Sequence, residues 1–484
     1  MKDISRRQFG KTVAASAALA GVTLPESSFG QQPTEVRQFP QGFVWGCGTS
    51  AYQIEGAVNE GGRKPSIWDV FSHTPGKTHN GDTGDVADDS YHLYKEDIRL
   101  LKSLGAGGYR FSIAWPRIFP HGTGQPNPTG LDHYKRVVDE LLANGITPYI
   151  TLFHWDLPAA LRGGWQARDT ALAFAHYAGY VARQLSDRVQ HFLTTNEFSS
   201  FTDLGYRTGQ CAPGLKLPAA QVNQVRHHAL LAHGLGVQSI RANAPAAKVG
   251  LAENPTVYVP VIEDRENTEA ARRATREMNA PFLTAVLEGK YIDAYLKHEG
   301  ANAPRIAAGD MQAIGSALDF VGLNVYAPYY VRADGSVRAD GSPKGYAIEP
   351  PPSSFPHMAS PWITVGPECM YWAVRNVCDL WHPKAIYITE NGCSADDVVT
   401  AAGRIEDTDR VMYLRNYLTN LHRAAAEGFP VKGYFLWSLL DNFEWADGYS
   451  KRFGIHYVDF KTEKRTPKLS AEWYREAVAR NAVV

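Results

Sequence analysis

The chain has 484 residues, and its 49 basic and 50 acidic side chains nearly cancel, which leaves no strong excess to draw nucleic acid or an acidic membrane surface. A hydrophobic content of 44% is that of a globular protein with a large core and excludes a disordered chain. Five cysteines, odd in number and with no CxxC, argue against a disulfide framework and against a cysteine-rich zinc site.

At the N-terminus Arg6 and Arg7 precede an apolar tract over 12–24 that is too short to span a bilayer. Paired arginines before such a tract resemble a bacterial twin-arginine export signal. Residues 1–30 are therefore expected to be a signal peptide, and the protein to be periplasmic or secreted. Residues 31–484 then form the working domain. In it, β-branched or aromatic runs recur at 43–47, 108–113, 147–153, 190–195, 248–252, 319–325, 385–389 and 432–438. Each is near-continuously apolar, as a parallel strand buried on both faces should be. Helical patterns lie between them, at 91–104, 131–143, 170–186 and 410–427 among others. Gly105, Gly145 and Gly428 each stop a helix shortly before a strand, where a left-handed residue releases the last turn. Eight strands alternating with helices, without a polar linker, predict an α/β fold: a single (β/α)8 TIM barrel with long βα loops. An open dinucleotide-binding sheet is the rival. Gly46, Gly48 and Ala51 satisfy G-x-G-x-x-A, but 52–63 has no helical period to hold a pyrophosphate.

In a barrel the chemistry comes from the C-terminal strand ends. Those ends supply Gln53, Arg110, His154, Trp155, Asn196, Glu197, Asn324, Tyr326, Glu390, Trp437, Glu444 and Trp445. Glu197 and Glu390 both end apolar strands and so face one mouth. Cleavage of a glycosidic bond needs such a pair, one to protonate the departing oxygen and one to attack or to activate water. The aromatic share of 11% also suits sugar rings, whose apolar faces stack on indole and phenol. Other barrel chemistries fit less well. There is no H-x-H for a metal, Lys432 begins rather than ends its strand, and no phosphate loop occurs. No cofactor and no metal are expected.

These segments carry a resemblance to family-1 glycoside hydrolases, the β-glucosidase family, from Phe39 to the C-terminus. WGCGTSAYQIEGA at 45–57, YRFSIAWPRIFP at 109–120 and LFHWDLPAAL at 152–161 resemble its first strand-end signatures. TTNEF at 194–198 resembles the acid/base segment, ITENG at 388–392 the nucleophile segment, and WSLLDNFEWADGYSKRFG at 437–454 the sugar-recognition loop. Two departures stand out: Phe198 follows Glu197 where the family usually has Pro, and PWITVGPE at 361–368 carries one extra residue.

The resemblance implies a retaining enzyme with Glu390 as nucleophile and Glu197 as acid/base. Arg110, Asn324 and Tyr326 would support Glu390, and the nearby second carboxylate would keep Glu197 protonated. Asn196 would bind the sugar 2-hydroxyl; Gln53, His154, Trp155, Glu444 and Trp445 would bind the others. Trp437 would lie under the ring, and Trp362 would wall the aglycone. The substrate expected is a small β-glucoside or cello-oligosaccharide without a 6-phosphate, because Glu444 would repel one, with β-galactosides and β-fucosides tolerated. Nucleic acid is not an expected partner, nor is a membrane span expected. A transglycosylating enzyme and a non-catalytic sugar-binding barrel are the alternatives.

Overall fold

Eight short strands, apolar enough to be covered on both faces, have one way to leave no edge: they close on themselves. In the computed structural model, which describes residues 37–338 and 341–484, they do so. The strands are β1 Val44–Gly48, β2 Gly108–Ser112, β3 Thr147–Phe153, β4 His191–Asn196, β5 Lys248–Glu253, β6 Val321–Asn324, β7 Ile386–Asn391 and β8 Val431–Leu436. They pair in parallel and in chain order, and Gly433 beside Val44 closes the ring. All eight expected strands are present to within about two residues. The expected export segment lies outside the described residues.

Helices α1 Ser90–Ser103, α2 Pro128–Ala143, α3 Asp169–Leu185, α4 Ala219–Asn243, α5 Arg265–Met278, α6 Cys369–Trp381, α7 Thr408–Ala426 and α8 Leu469–Arg480 are the main ones outside the ring. Gly105, Gly145 and Gly428 have φ of +73°, +76° and +88°, the left-handed stop expected of them. Inside the ring Tyr149, Leu193, Ala252, Phe320 and Phe435 pack together, so the barrel is filled and any site must sit at its rim. The dinucleotide alternative fails locally. A single helical turn, Ala51–Ile54, does follow β1, but it is wholly buried and the Ala51 N–H donates to Ser112 Oγ.

Two features escaped the sequence reading. Val257–Pro260, Pro328–Ala333 and Tyr346–Glu349 form a small three-stranded sheet that packs on α5 beside the rim. Arg37–Gln38, ahead of β1, pairs antiparallel with Ala482–Val483, which follows α8, and the Asn481 side chain ties Phe39 and Trp45 to α8.

A buried charge network fixes the long loop after β8. Lys468, wholly buried, donates to Asp397 and Asp441 at 2.6 Å each, while Arg410 holds Asp397 and Asp407 and Arg452 holds Asp441. Removing one partner from such a cluster strands a buried charge, so the network acts as one piece.

Candidate active site

β4 delivers Asn196 and Glu197 to the rim. The β4–β5 register shifts between Leu193 and Asn196. Glu197 then leaves the sheet with φ +53°, its N–H donating to Ala252 O at 2.8 Å. A left-handed glutamate costs about 1 kcal/mol and persists only where its surroundings hold it. β7 delivers Glu390 beside Asn324 of β6. Directly after it, Gly392 passes so close to β8 that an added Cβ would lie 1.8 Å from Trp437 O.

Arg110 of β2 lies beneath both acids. Its Nη1 donates to Glu390 Oε1 at 2.6 Å and its Nη2 to Asn196 Oδ1 at 2.6 Å. Tyr326 Oη donates to Glu390 Oε2 at 2.9 Å. Asn324, expected beside Glu390, has its amide fixed by Thr389 Oγ1 and donates to Glu197 Oε1 at 2.8 Å and to Asn196 Oδ1 at 3.0 Å. It also favours the charge on Glu390, so it serves both carboxyls.

The two acids sit in different electrostatic surroundings. Burial pushes Glu197 up to about 7, and Glu390 adds to that, against donation from Asn324 and Ser200 and the charge of Arg110. Burial, rather than the nearby second carboxylate expected from the sequence, is the larger cause. Burial raises Glu390 too, but a guanidinium and a phenol oppose it. As a coupled pair, the first proton leaves the acid that touches the cation, Glu390.

Ten of the expected residues line one cavity of about 800 Å³: His154, Trp155, Asn196, Glu197, Tyr326, Trp362, Glu390, Trp437, Glu444 and Trp445. His154 is kept neutral by burial and by Arg110, and its Nε2 accepts from Asn196 Nδ2 at 3.0 Å. Trp155 donates to Asn196 O and stacks on Trp445 at 4.3 Å. Trp362 is 54% exposed at the mouth, its ring 5.3 Å from Tyr326. Arg110 and Asn324 act from below. Gln53 is the exception among the sugar binders. It is wholly buried, its Oε1 accepts from Ser50, and its Nε2 faces Asn442, Phe443 O and Glu444 Oε2. Its amide holds Glu444 rather than the cavity wall. Glu444 is pushed up to about 8, by burial and then by Asp447, Glu390 and Glu197. Hydroxyls donating to Glu444 would draw it back towards the carboxylate.

The end of β5 contributes what the sequence reading missed, because the run over 248–252 stops one residue short. Glu253 is buried at that end, its Oε2 accepting from Phe198 N–H at 2.8 Å. Phe198 points into the core and stacks on Phe282, with rings 6.2 Å apart, so it does not alter the cavity wall. Asn254, Ser199 and Ser200 join the wall, as do Asp203, Tyr329 and Asp447 further out. Cys47 and Cys393 are buried thiols whose ionisation burial suppresses, which makes them packing groups.

An acid on a guanidinium, facing a proton-bearing acid across an aromatic-lined cavity, is equipment for breaking a glycosidic bond. Comparison with known proteins gives the same lineage. The profile of glycosyl hydrolase family 1 matches residues 35–483. The chain is 44% identical over 451 residues to a 1,4-β-D-glucan glucohydrolase of Thermotoga neapolitana, covering 93% of this chain and 100% of that one. It is 43% identical over 447 residues to β-glucosidase A of Acetivibrio thermocellus, covering 92% and 98%. Among solved structures, a β-glucosidase from Thermotoga maritima in complex with azafagomine superposes with a TM-score of 0.84 at 41% identity, covering 93% of this chain and 100% of that one. The chain belongs to glycosyl hydrolase family 1.

Proposed function

We propose that this protein is a β-glucosidase that works by double displacement, with Glu390 as nucleophile and Glu197 as acid and then base. The observation that carries the reading is the division between the two acids: Arg110 and Tyr326 hold Glu390, and burial keeps a proton on Glu197. Glu390 attacks the anomeric carbon while the bond to the aglycone oxygen breaks, and that oxygen takes the Glu197 proton. Esterified Glu390 is neutral, so its repulsion on Glu197 vanishes. Glu197 then accepts a proton from the attacking water, and Glu390 departs as a carboxylate. The second hydrogen of Asn196 Nδ2, free beside the one given to His154, is available for the 2-hydroxyl.

The relatives support a β-glucoside as substrate, including a second glucose as leaving group: two are described as 1,4-β-D-glucan glucohydrolases. One relative from Bifidobacterium breve is described as a bifunctional β-D-glucosidase/β-D-fucosidase, and a Thermotoga maritima structure holds a galacto-hydroximolactam, which favours tolerance at the 4- and 6-positions. Glu444, once sugar hydroxyls draw it to the carboxylate, and the neighbouring Asp447 would disfavour a 6-phosphate.

The test is a dinitrophenyl β-glucoside, whose leaving group needs no proton, with and without a 6-phosphate. Wild type should turn over the unphosphorylated form and release β-glucose first. Glu197→Ala should still form the glycosyl-enzyme, stall, and be released by azide as β-glucosyl azide. Glu390→Ala should form no covalent intermediate and give any azide product as the α-anomer. The reverse pattern of azide products would exchange the two roles, and α-glucose released first would mean an inverting enzyme.

We also propose that residues 1–30 direct twin-arginine export, so that the barrel works in the periplasm or outside the cell. The supporting feature is Arg6-Arg7 before the apolar tract at 12–24. Arg6→Lys with Arg7→Lys should leave precursor in the cytoplasm; unchanged export would remove this reading.

A further inference from the structure

Three side chains run in a line to the acid/base, Ser199 and Ser200 from the β4 exit and Asn254 from just after β5. Ser199 Oγ donates to Asn254 Oδ1 at 2.9 Å, which fixes that amide so that its nitrogen faces Ser200. Asn254 Nδ2 donates to Ser200 Oγ at 3.1 Å, and Ser200 Oγ donates to Glu197 Oε2 at 2.7 Å. A serine hydroxyl has one hydrogen. With Asn254 occupying a lone pair, that hydrogen is directed at Glu197. The other oxygen, Oε1, receives Asn324 Nδ2, which can only donate. Both oxygens of the acid/base are thus met by donors, an arrangement that favours the carboxylate over the acid.

We propose that Ser200, aimed by Asn254, is a positioning residue for the acid/base: its hydroxyl stabilises the carboxylate of Glu197 and so sets how readily Glu197 gives up its proton in the first half-reaction and serves as base in the second. The proposal rests on the reading of Glu197 as acid/base. Other groups act on Glu197 from every side. Glu390 of β7 adds negative charge and Arg110 of β2 opposes it, while burial pushes Glu253 of β5 and Glu444 of the β8 loop towards their protonated forms and Tyr326 and Cys211 stay neutral. None of these is touched by removing one hydroxyl at 200. Ser200 is among the groups holding Glu197 down against its burial, in support of the geometry.

Ser200→Ala tests it. A hydrogen bond to a charged group is worth enough to move a titration by about one pH unit. The basic limb of kcat/KM, measured on an alkyl β-glucoside that needs its leaving group protonated, should therefore move up by about one unit. With a dinitrophenyl β-glucoside, where release of the glycosyl-enzyme limits kcat, the acidic limb should also move up, so that turnover near pH 5 falls severalfold. Asn254→Ala should move both limbs the same way by less. Limbs that stay in place in Ser200→Ala, or move down, overturn the proposal. Glu197→Ala measured alongside separates the two failures. If azide rescues it while the Ser200→Ala limbs stay in place, only the role of Ser200 falls; if azide rescues nothing, the acid/base assignment falls with it.

Discussion

Glu197 is asked to be an acid in a place that dislikes charge, and the cost is borne by the fold. Its native carboxyl holds a proton up to about pH 7, whereas the unfolded one lets go near its ordinary value of 4.5. Between those values the native state binds more protons than the unfolded state, so this group's contribution is full below about 4.5 and is lost as pH rises through about 7. Glu197→Gln removes the penalty while keeping an oxygen for Asn324 and an amide for Ser200. It should match wild type in stability near pH 4 and exceed it at pH 8 by on the order of 2 kcal/mol, read as a higher midpoint in denaturant at pH 8. A difference that does not change with pH would contradict the assigned protonation. At this scale the sequence was informative where chemistry coincides with a strand end: an apolar run followed by polar residues marked Glu197 and Glu390, while Arg110 lies inside its strand. Ser200, Asn254 and Glu253 bear no such mark. Their meaning lies in contacts between β4 and β5 exits more than fifty residues apart, and no local pattern encodes that proximity. Gln53 was located by the same strand-end logic, yet its amide is consumed by Glu444 and its neighbours, which burial alone decides.

The strands and several helices were legible because each kind obeys one rule: strands covered on both faces are written as continuous apolar runs, and three of the helices stop at a left-handed glycine. The small sheet beside the rim was not, since Pro328–Ala333 buries only Pro328 and Val331 and its partners are four residues long. Glycines at element ends divide into two kinds that substitution should separate. Gly428 stands at φ +88° with open space where a Cβ would go. Gly428→Ala should therefore cost only the backbone term, about 1 kcal/mol, and leave kcat unchanged. Gly392 has no room, because a Cβ would meet Trp437 O at 1.8 Å. Gly392→Ala must push apart the exits of β7 and β8, carrying Glu390 and Trp437 with them, and displacements of about 1 Å at reacting groups cost roughly 100-fold in rate. Measured kcat on an aryl glucoside together with denaturant midpoints distinguishes the two; equal loss of activity in both would mean that the close approach at Gly392 does not position the nucleophile.

Across the whole molecule, alternation of eight runs with helices was enough to give one closed ring, because a parallel ring is the arrangement that buries eight two-faced strands without an edge. The order of the ring follows the order of the chain, and its seam joins the first strand to the last. The clasp between Arg37–Gln38 and Ala482–Val483 lies across the same two ends. On a ribosome this becomes a matter of timing. Roughly 380 residues separate β1 from β8, so at ordinary synthesis speeds about 20–80 s pass before β1 meets its second neighbour. Throughout that interval one flank of an apolar strand is open to any other strand nearby. A ring that has no edge when finished thus keeps one open for most of its making, and the eighth strand is the one that ends the exposure of the first.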